Sequence, residues 1–82
     1  MRINVLLFAG IAEAVGDREI QLELPDGLNV KEAWRIFEEN HPSAAKASAG
    51  AAFVVNESYV RPADYILREG DTLAAIPPVS GG

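Results

Sequence analysis

With 82 residues the chain holds one domain with one small core. Hydrophobic residues make up 49% and charged residues 23%, a balance that excludes a disordered chain. A net charge of −5 with seven scattered basic residues argues against nucleic-acid binding, and the absence of cysteine excludes disulfides, thiolate metal sites and cysteine nucleophiles.

Met1 to Phe8 reads as a strand with Ile3, Val5 and Leu7 on one face and Leu6 and Phe8 on the other. Gly10 to Gly16 encloses a short helical turn with a glycine stop. Arg18 to Leu24 alternates, Ile20, Leu22 and Leu24 inward and Glu19, Gln21 and Glu23 outward, which predicts a half-buried antiparallel strand. Pro25-Asp26-Gly27 is a turn. Asn29 then caps a helix, with Glu32 placed close to a capping box. Val30, Ala33, Trp34 and Phe37 form its apolar stripe, and Pro42 ends it. Ser43 to Gly50 fits a short helix or a loop. Ala52 to Val55 is a strand, Asn56-Glu57 a tight turn, Tyr59 to Arg61 the return, Arg68 to Asp71 another turn, and Thr72 to Ile76 the last strand. This order predicts an α+β fold, one mixed sheet packed on one main helix.

The sequence finishes Pro77-Pro78-Val79-Ser80-Gly81-Gly82. Two prolines remove backbone donors and fix φ, so the last strand is not expected to continue through them. Residues 1–76 are therefore expected to form the domain and 77–82 an extended, flexible Gly-Gly tail. From Pro78 to Gly82 such an arm reaches ~16 Å when extended. Its glycines lack Cβ atoms and suit a narrow cleft, and Gly82 is expected to present a free carboxylate to another protein's active site.

Catalytic constellations are otherwise missing. His41 is the only histidine and sits at a helix end, where it is expected to interact with helix carbonyls. The Lys-Ser/Thr of a phosphate loop is absent after Gly10. Glu38 and Glu39 diverge on their helix and are expected to be solvated; Trp34 is expected in the core. No spacing suggests a metal, and no bound cofactor is expected. No apolar run approaches the ~20 residues that span a bilayer, and Met1 runs straight into a strand-like segment, so a cytoplasmic location with no membrane partner is expected. The acidic balance favours either simple solubility or steering toward a basic partner. What remains reactive is the Gly82 carboxylate, a poor electrophile until an oxygen becomes a leaving group, for example in an acyl-adenylate made with ATP by another protein.

Val5-Leu6-Leu7-Phe8-Ala9 with Glu13-Ala14-Val15-Gly16, then Val54-Val55-Asn56, Glu69-Gly70-Asp71 and above all Pro77-Pro78-Val79-Ser80-Gly81-Gly82 resemble the MoaD family of ubiquitin-like sulfur carriers, the small subunits of molybdopterin synthase. The resemblance spans nearly the whole chain. It implies the ubiquitin-like β-grasp fold, with first and last strands adjacent. It further implies that an E1-like enzyme uses ATP to adenylate Gly82 and that a sulfur-transfer protein helps convert it to a thiocarboxylate. The arm, Pro77 to Gly81 included, then enters the large synthase subunit, within a heterotetramer, and donates sulfur to cyclic pyranopterin monophosphate. Two carriers supply each dithiolene. The partner-binding positions it implies are Phe8, Tyr59 and Ile76. Ala12 stands where many family members carry arginine, and Ile76 where an aromatic residue is commoner.

Three other readings share these residues: a ubiquitin-like modifier joined to lysines through Gly82, a sulfur carrier of the thiamine pathway, and an interaction domain with an inert tail. The Pro-Pro-Val element favours the molybdopterin over the thiamine pathway.

Overall fold

The computed structural model describes residues 1–78. Strand β1 (Arg2–Leu7) buries Ile3, Val5 and Leu7, the alternation expected of it. Helix α1 (Ala9–Val15) stops at Gly16, whose φ of +89° suits a residue without Cβ and whose N–H donates to the Ala12 carbonyl. Strand β2 (Glu19–Glu23) returns antiparallel, setting Val5 opposite Ile20 and Ile3 opposite Leu22.

Helix α2 (Val30–Asn40) begins with a complete capping box. Asn29 Oδ1 accepts from Glu32 N at 2.8 Å, and Asn29 N donates to Glu32 Oε1 at 3.0 Å. Such a cap contributes about 1 kcal/mol. Val30, Ala33, Trp34 and Phe37 are all buried, as the apolar stripe predicts. Helix α3 (Pro42–Ala47) settles the ambiguous segment as helical. Pro42 both ends α2, by keeping His41 out of the helical region, and opens α3, where its missing N–H is not needed.

Strands β3 (Ala52–Val55) and β4 (Ser58–Val60) form a hairpin. Asn56 and Glu57 have φ of +48° and +74°, the left-handed pair that a two-residue hairpin turn demands. Strand β5 (Thr72–Ile76) completes the sheet. Among the described residues the strand order is β2-β1-β5-β3-β4, with β1 and β5 parallel and the other pairs antiparallel. One long helix crosses a mixed sheet whose first and last strands are neighbours, which is the β-grasp architecture.

The core lies between α2 and one sheet face. Phe37, Ile3, Val5 and Leu73 are fully buried there; burying a side chain of the Phe37 kind contributes about 1.5–3 kcal/mol. The Trp34 ring stacks on Phe37 at 4.6 Å and meets the edge of Phe53 at 5.3 Å. Two polar expectations need correction. Glu38 is not simply solvated: Trp34 Nε1 donates to Ser48 Oγ at 3.1 Å, and that hydroxyl donates to Glu38 Oε2 at 2.9 Å. The His41 ring packs on Phe37 at 4.6 Å, while it is the backbone N–H of His41 that reaches a helix carbonyl, that of Phe37, at 2.9 Å.

Asp71, 7% exposed, is a second polar node. Its Oδ2 accepts from Arg68 N at 2.9 Å and from the Tyr65 hydroxyl at 3.1 Å, and its Oδ1 accepts from Asn56 Nδ2 at 2.9 Å. Asn56 Oδ1 in turn accepts from Thr72 N at 2.9 Å. The β3–β4 turn is thereby tied to the first residue of β5. Burial, and then the bond to Asp71, raises the Tyr65 pKa above the 10.0 of a free tyrosine. The folded state thus holds the phenol proton more tightly than the unfolded one. The resulting stability is fully present below pH 10.0 and is lost as pH rises through the folded pKa. Tyr65→Phe should cost about 1 kcal/mol at neutral pH and remove this part of the alkaline loss, as read from urea unfolding at neutral and alkaline pH.

Candidate functional site

The sheet face turned away from α2 is uncovered by any element of the described residues. Strand register places one row across it: Glu19 opposite Leu6, Leu6 beside Ala74, Ala74 opposite Val54, and Val54 opposite Tyr59. One step toward the end of β5, Ile76 stands opposite Ala52. Phe8 follows Leu7, which pairs with Ala75, and its backbone is still extended, at φ −127° and ψ 152°. Alternation therefore sets Phe8 on the side of Leu6, level with Ile76. The reverse end of the same face is polar, with Gln21, Asn4 and Thr72 in one row.

Exposure agrees with this phasing. Tyr59 is 75% and Phe8 45% exposed, and Ile76 is half-buried. The residue after Phe8, Ala9, has φ +47°, in the left-handed region that costs an alanine about 1 kcal/mol. That turn ends the strand and begins α1, leaving Phe8 at the corner. Leu6, Val54 and Ala74 floor a shallow depression of about 320 Å³ with Asn56, Glu57 and Thr72 at its side. A second groove, about 520 Å³, runs beside Leu6 and Phe8 past Ala12, Glu13, Arg18 and Glu19. An apolar floor is thus rimmed by three carboxylates and one guanidinium.

Phe8, Tyr59 and Ile76, singled out from sequence, share one face. Leu6, Val54 and Ala74 belong to the same surface and were not singled out. The signal was available for Leu6, whose place opposite the core residues follows from alternation. Val54 and Ala74 needed the register, because an alanine or valine in a short apolar run gives no face by itself. Ile66, 50% exposed, lies elsewhere, in the loop bridged to Asn29.

The segment expected to form the arm starts at the end of this face. Pro77 is half-buried and Pro78 exposed, directly after β5. Val79, Ser80, Gly81 and Gly82 lie outside the described residues. Among the described residues no group of three or more His, Cys, Asp or Glu side chains is placed to hold a metal. No helix of the described residues is long and apolar enough to cross a membrane. The chemistry this face offers is apolar burial against a partner.

Because Phe8 and Tyr59 carry little of the core, Phe8→Ala and Tyr59→Ala should each change the unfolding free energy by less than about 1 kcal/mol. Leu7→Ala, one residue from Phe8 but on the core face, should cost about 2–5 kcal/mol. Urea titration of the three variants checks the phasing; a Phe8→Ala loss as large as that of Leu7→Ala would place Phe8 in the core.

The chain is 39% identical to the molybdopterin synthase sulfur carrier subunit of Chlamydomonas reinhardtii, covering 100% of both chains. It is 35% identical to the molybdopterin synthase sulfur carrier subunit of Homo sapiens, covering 99% of this chain and 94% of that one. Among solved structures it resembles the small archaeal modifier protein SAMP1 from Haloferax volcanii, with a TM-score of 0.86, 26% identity and full coverage of both chains. The ThiS family model matches residues 5–82, and the chain belongs to the ThiS family.

Proposed function

We propose that this protein is the sulfur-carrier small subunit of a molybdopterin synthase, with Gly82 as the residue that carries the sulfur. One observation carries the reading: the likeness to sulfur carrier subunits extends over the whole chain, and the family match runs through Gly82. The exposed apolar face at the root of the arm supports it, since a carrier must be grasped by partners near the group it delivers. The chain acts as a donor subunit and is not an enzyme on its own. It works in the cytoplasm.

The chemistry follows from the carboxylate. Its negative charge repels nucleophiles, so an E1-like partner first directs a Gly82 oxygen onto the α-phosphorus of ATP, and pyrophosphate leaves. In the acyl-adenylate AMP is the leaving group. A sulfur-transfer protein supplies the sulfur that takes its place on the carbonyl carbon, and Gly82 ends as a thiocarboxylate. Glycine suits both steps because no side chain shields the carbonyl. The thiocarboxylate sulfur is ionised at neutral pH and more polarisable than oxygen, which favours attack on cyclic pyranopterin monophosphate inside the large subunit. Pro77, Pro78, Val79, Ser80 and Gly81 form the arm that enters that subunit. Two deliveries complete one dithiolene, consistent with a heterotetramer that holds two carriers. Phe8, Tyr59 and Ile76, with Leu6, Val54 and Ala74 between them, form the docking face for both partners. ATP is consumed by the activating partner, and this chain holds no cofactor.

A second reading has a specific observation in its favour, the fold likeness to SAMP1, named as a modifier protein. In it the adenylated Gly82 would be captured by a lysine amine instead of by sulfur. The sulfur carrier of thiamine synthesis has less support, because the curated relatives at 35–39% identity are named for molybdopterin synthase.

Deleting Gly82, or adding one residue after it, should abolish molybdopterin formation in a reconstituted system while leaving the unfolding midpoint unchanged. Synthesis by the extended variant would overturn the reading. Gly82-dependent isopeptide conjugates in cells that make no molybdopterin from this chain would favour the modifier instead.

A further inference from the structure

We propose that the groove beside Phe8 receives a long basic side chain of the large synthase subunit, with its stem on the apolar floor and its cationic head between Glu13 and Glu19; this rests on the sulfur-carrier reading and deepens it. Leu6 and Phe8 of the β1 end and Ala12 of α1 line this groove of about 520 Å³. Two carboxylates reach it from different elements. Glu19 lies on β2 opposite Leu6, and Glu13 follows Ala12 on α1. Among the described residues Arg18 is the one cation of the lining. The side chains of Glu13, Arg18 and Glu19 are exposed, and none of them forms an ion pair among the described residues.

This combination selects its occupant. An apolar partner side chain would cover the floor but strip water from Glu13 and Glu19 with nothing in return. An acidic one would meet two like charges. A lysine or arginine side chain answers both demands, because its methylene stem covers Leu6 and Ala12 while its head stays at the rim. The Phe8 ring, 45% exposed in the same groove, is a further contact for a cation. Glu57, across the same sheet face, and a net charge of −5 add potential of the same sign. Arg18 opposes the incoming cation. The groove continues the face that carries Phe8, Tyr59 and Ile76, so a large subunit seated on that face covers the groove as well.

The test is calorimetric titration of the full chain with the large subunit from the same cells, at low and at high salt. Glu13→Gln and Glu19→Gln should each weaken binding about fivefold at low salt and by less at high salt. Arg18→Gln should tighten it about twofold at low salt. The three unfolding midpoints should match the wild type, since the side chains are exposed. Opposite signs within one groove separate a charge effect from a general loss of fit. Wild-type affinity in both carboxylate variants would overturn the inference alone. Tighter binding by those variants would also overturn it and point to an acidic occupant. Absence of binding by the wild-type chain would overturn the sulfur-carrier reading, and this inference with it.

Discussion

The parallel pairing of β1 with β5 is the constraint from which the rest of the molecule follows. It places the first and last strands side by side at the centre of the sheet, Val5 next to Leu73 and Leu7 next to Ala75. Parallel strands point the same way, so Phe8 and Ile76 emerge at one end together with Pro77. The core and the exposed apolar face are two sides of this single register. Slipping β5 by one residue against β1 would turn Leu73 and Ala75 outward and Thr72 and Ala74 inward. The arm's root and the exposed apolar patch are adjacent because the same ladder delivers both.

Each end of β5 is held by a polar node. At its start Asp71 accepts three hydrogen bonds and gathers the 65–71 loop and the β3–β4 turn. Beyond its end, the Trp34–Ser48–Glu38 chain fixes the loop that runs level with Pro78. These groups are partly or fully removed from water, where a missing partner is costly. Both ends of β5 are thus tied to neighbouring loops by hydrogen-bonded side chains.

Much of this was legible in the sequence. Alternation in Ile3-Val5-Leu7 and Ile20-Leu22-Leu24, the i, i+3, i+4, i+7 stripe of α2, Asn29 with Glu32, and the Gly16 stop each rest on local chemistry that tertiary packing did not override. Placing Phe8 and Ile76 on one face required only the phase of two strands. What sequence alone did not yield was pairwise. Ser43 to Gly50 is alanine-rich and has no strong period, so its helix depends on Pro42 as a start and on packing of Ala44. Glu38 looked like an ordinary surface charge because its partner, Ser48, is ten residues away in a separate helix cap. Val54 and Ala74 joined the outer face only through their shared register.

Under the sulfur-carrier reading scaffold and cargo are separate: the described residues supply grip and direction, and other proteins exchange the reactive atom at Gly82. Intact-mass analysis of the protein isolated from its native cells tests that claim most directly. A population heavier by the difference between one sulfur and one oxygen, with the extra mass confined to the C-terminal peptide, is the predicted result. A C-terminus that remains a plain carboxylate while the cells make molybdopterin through this chain would contradict it.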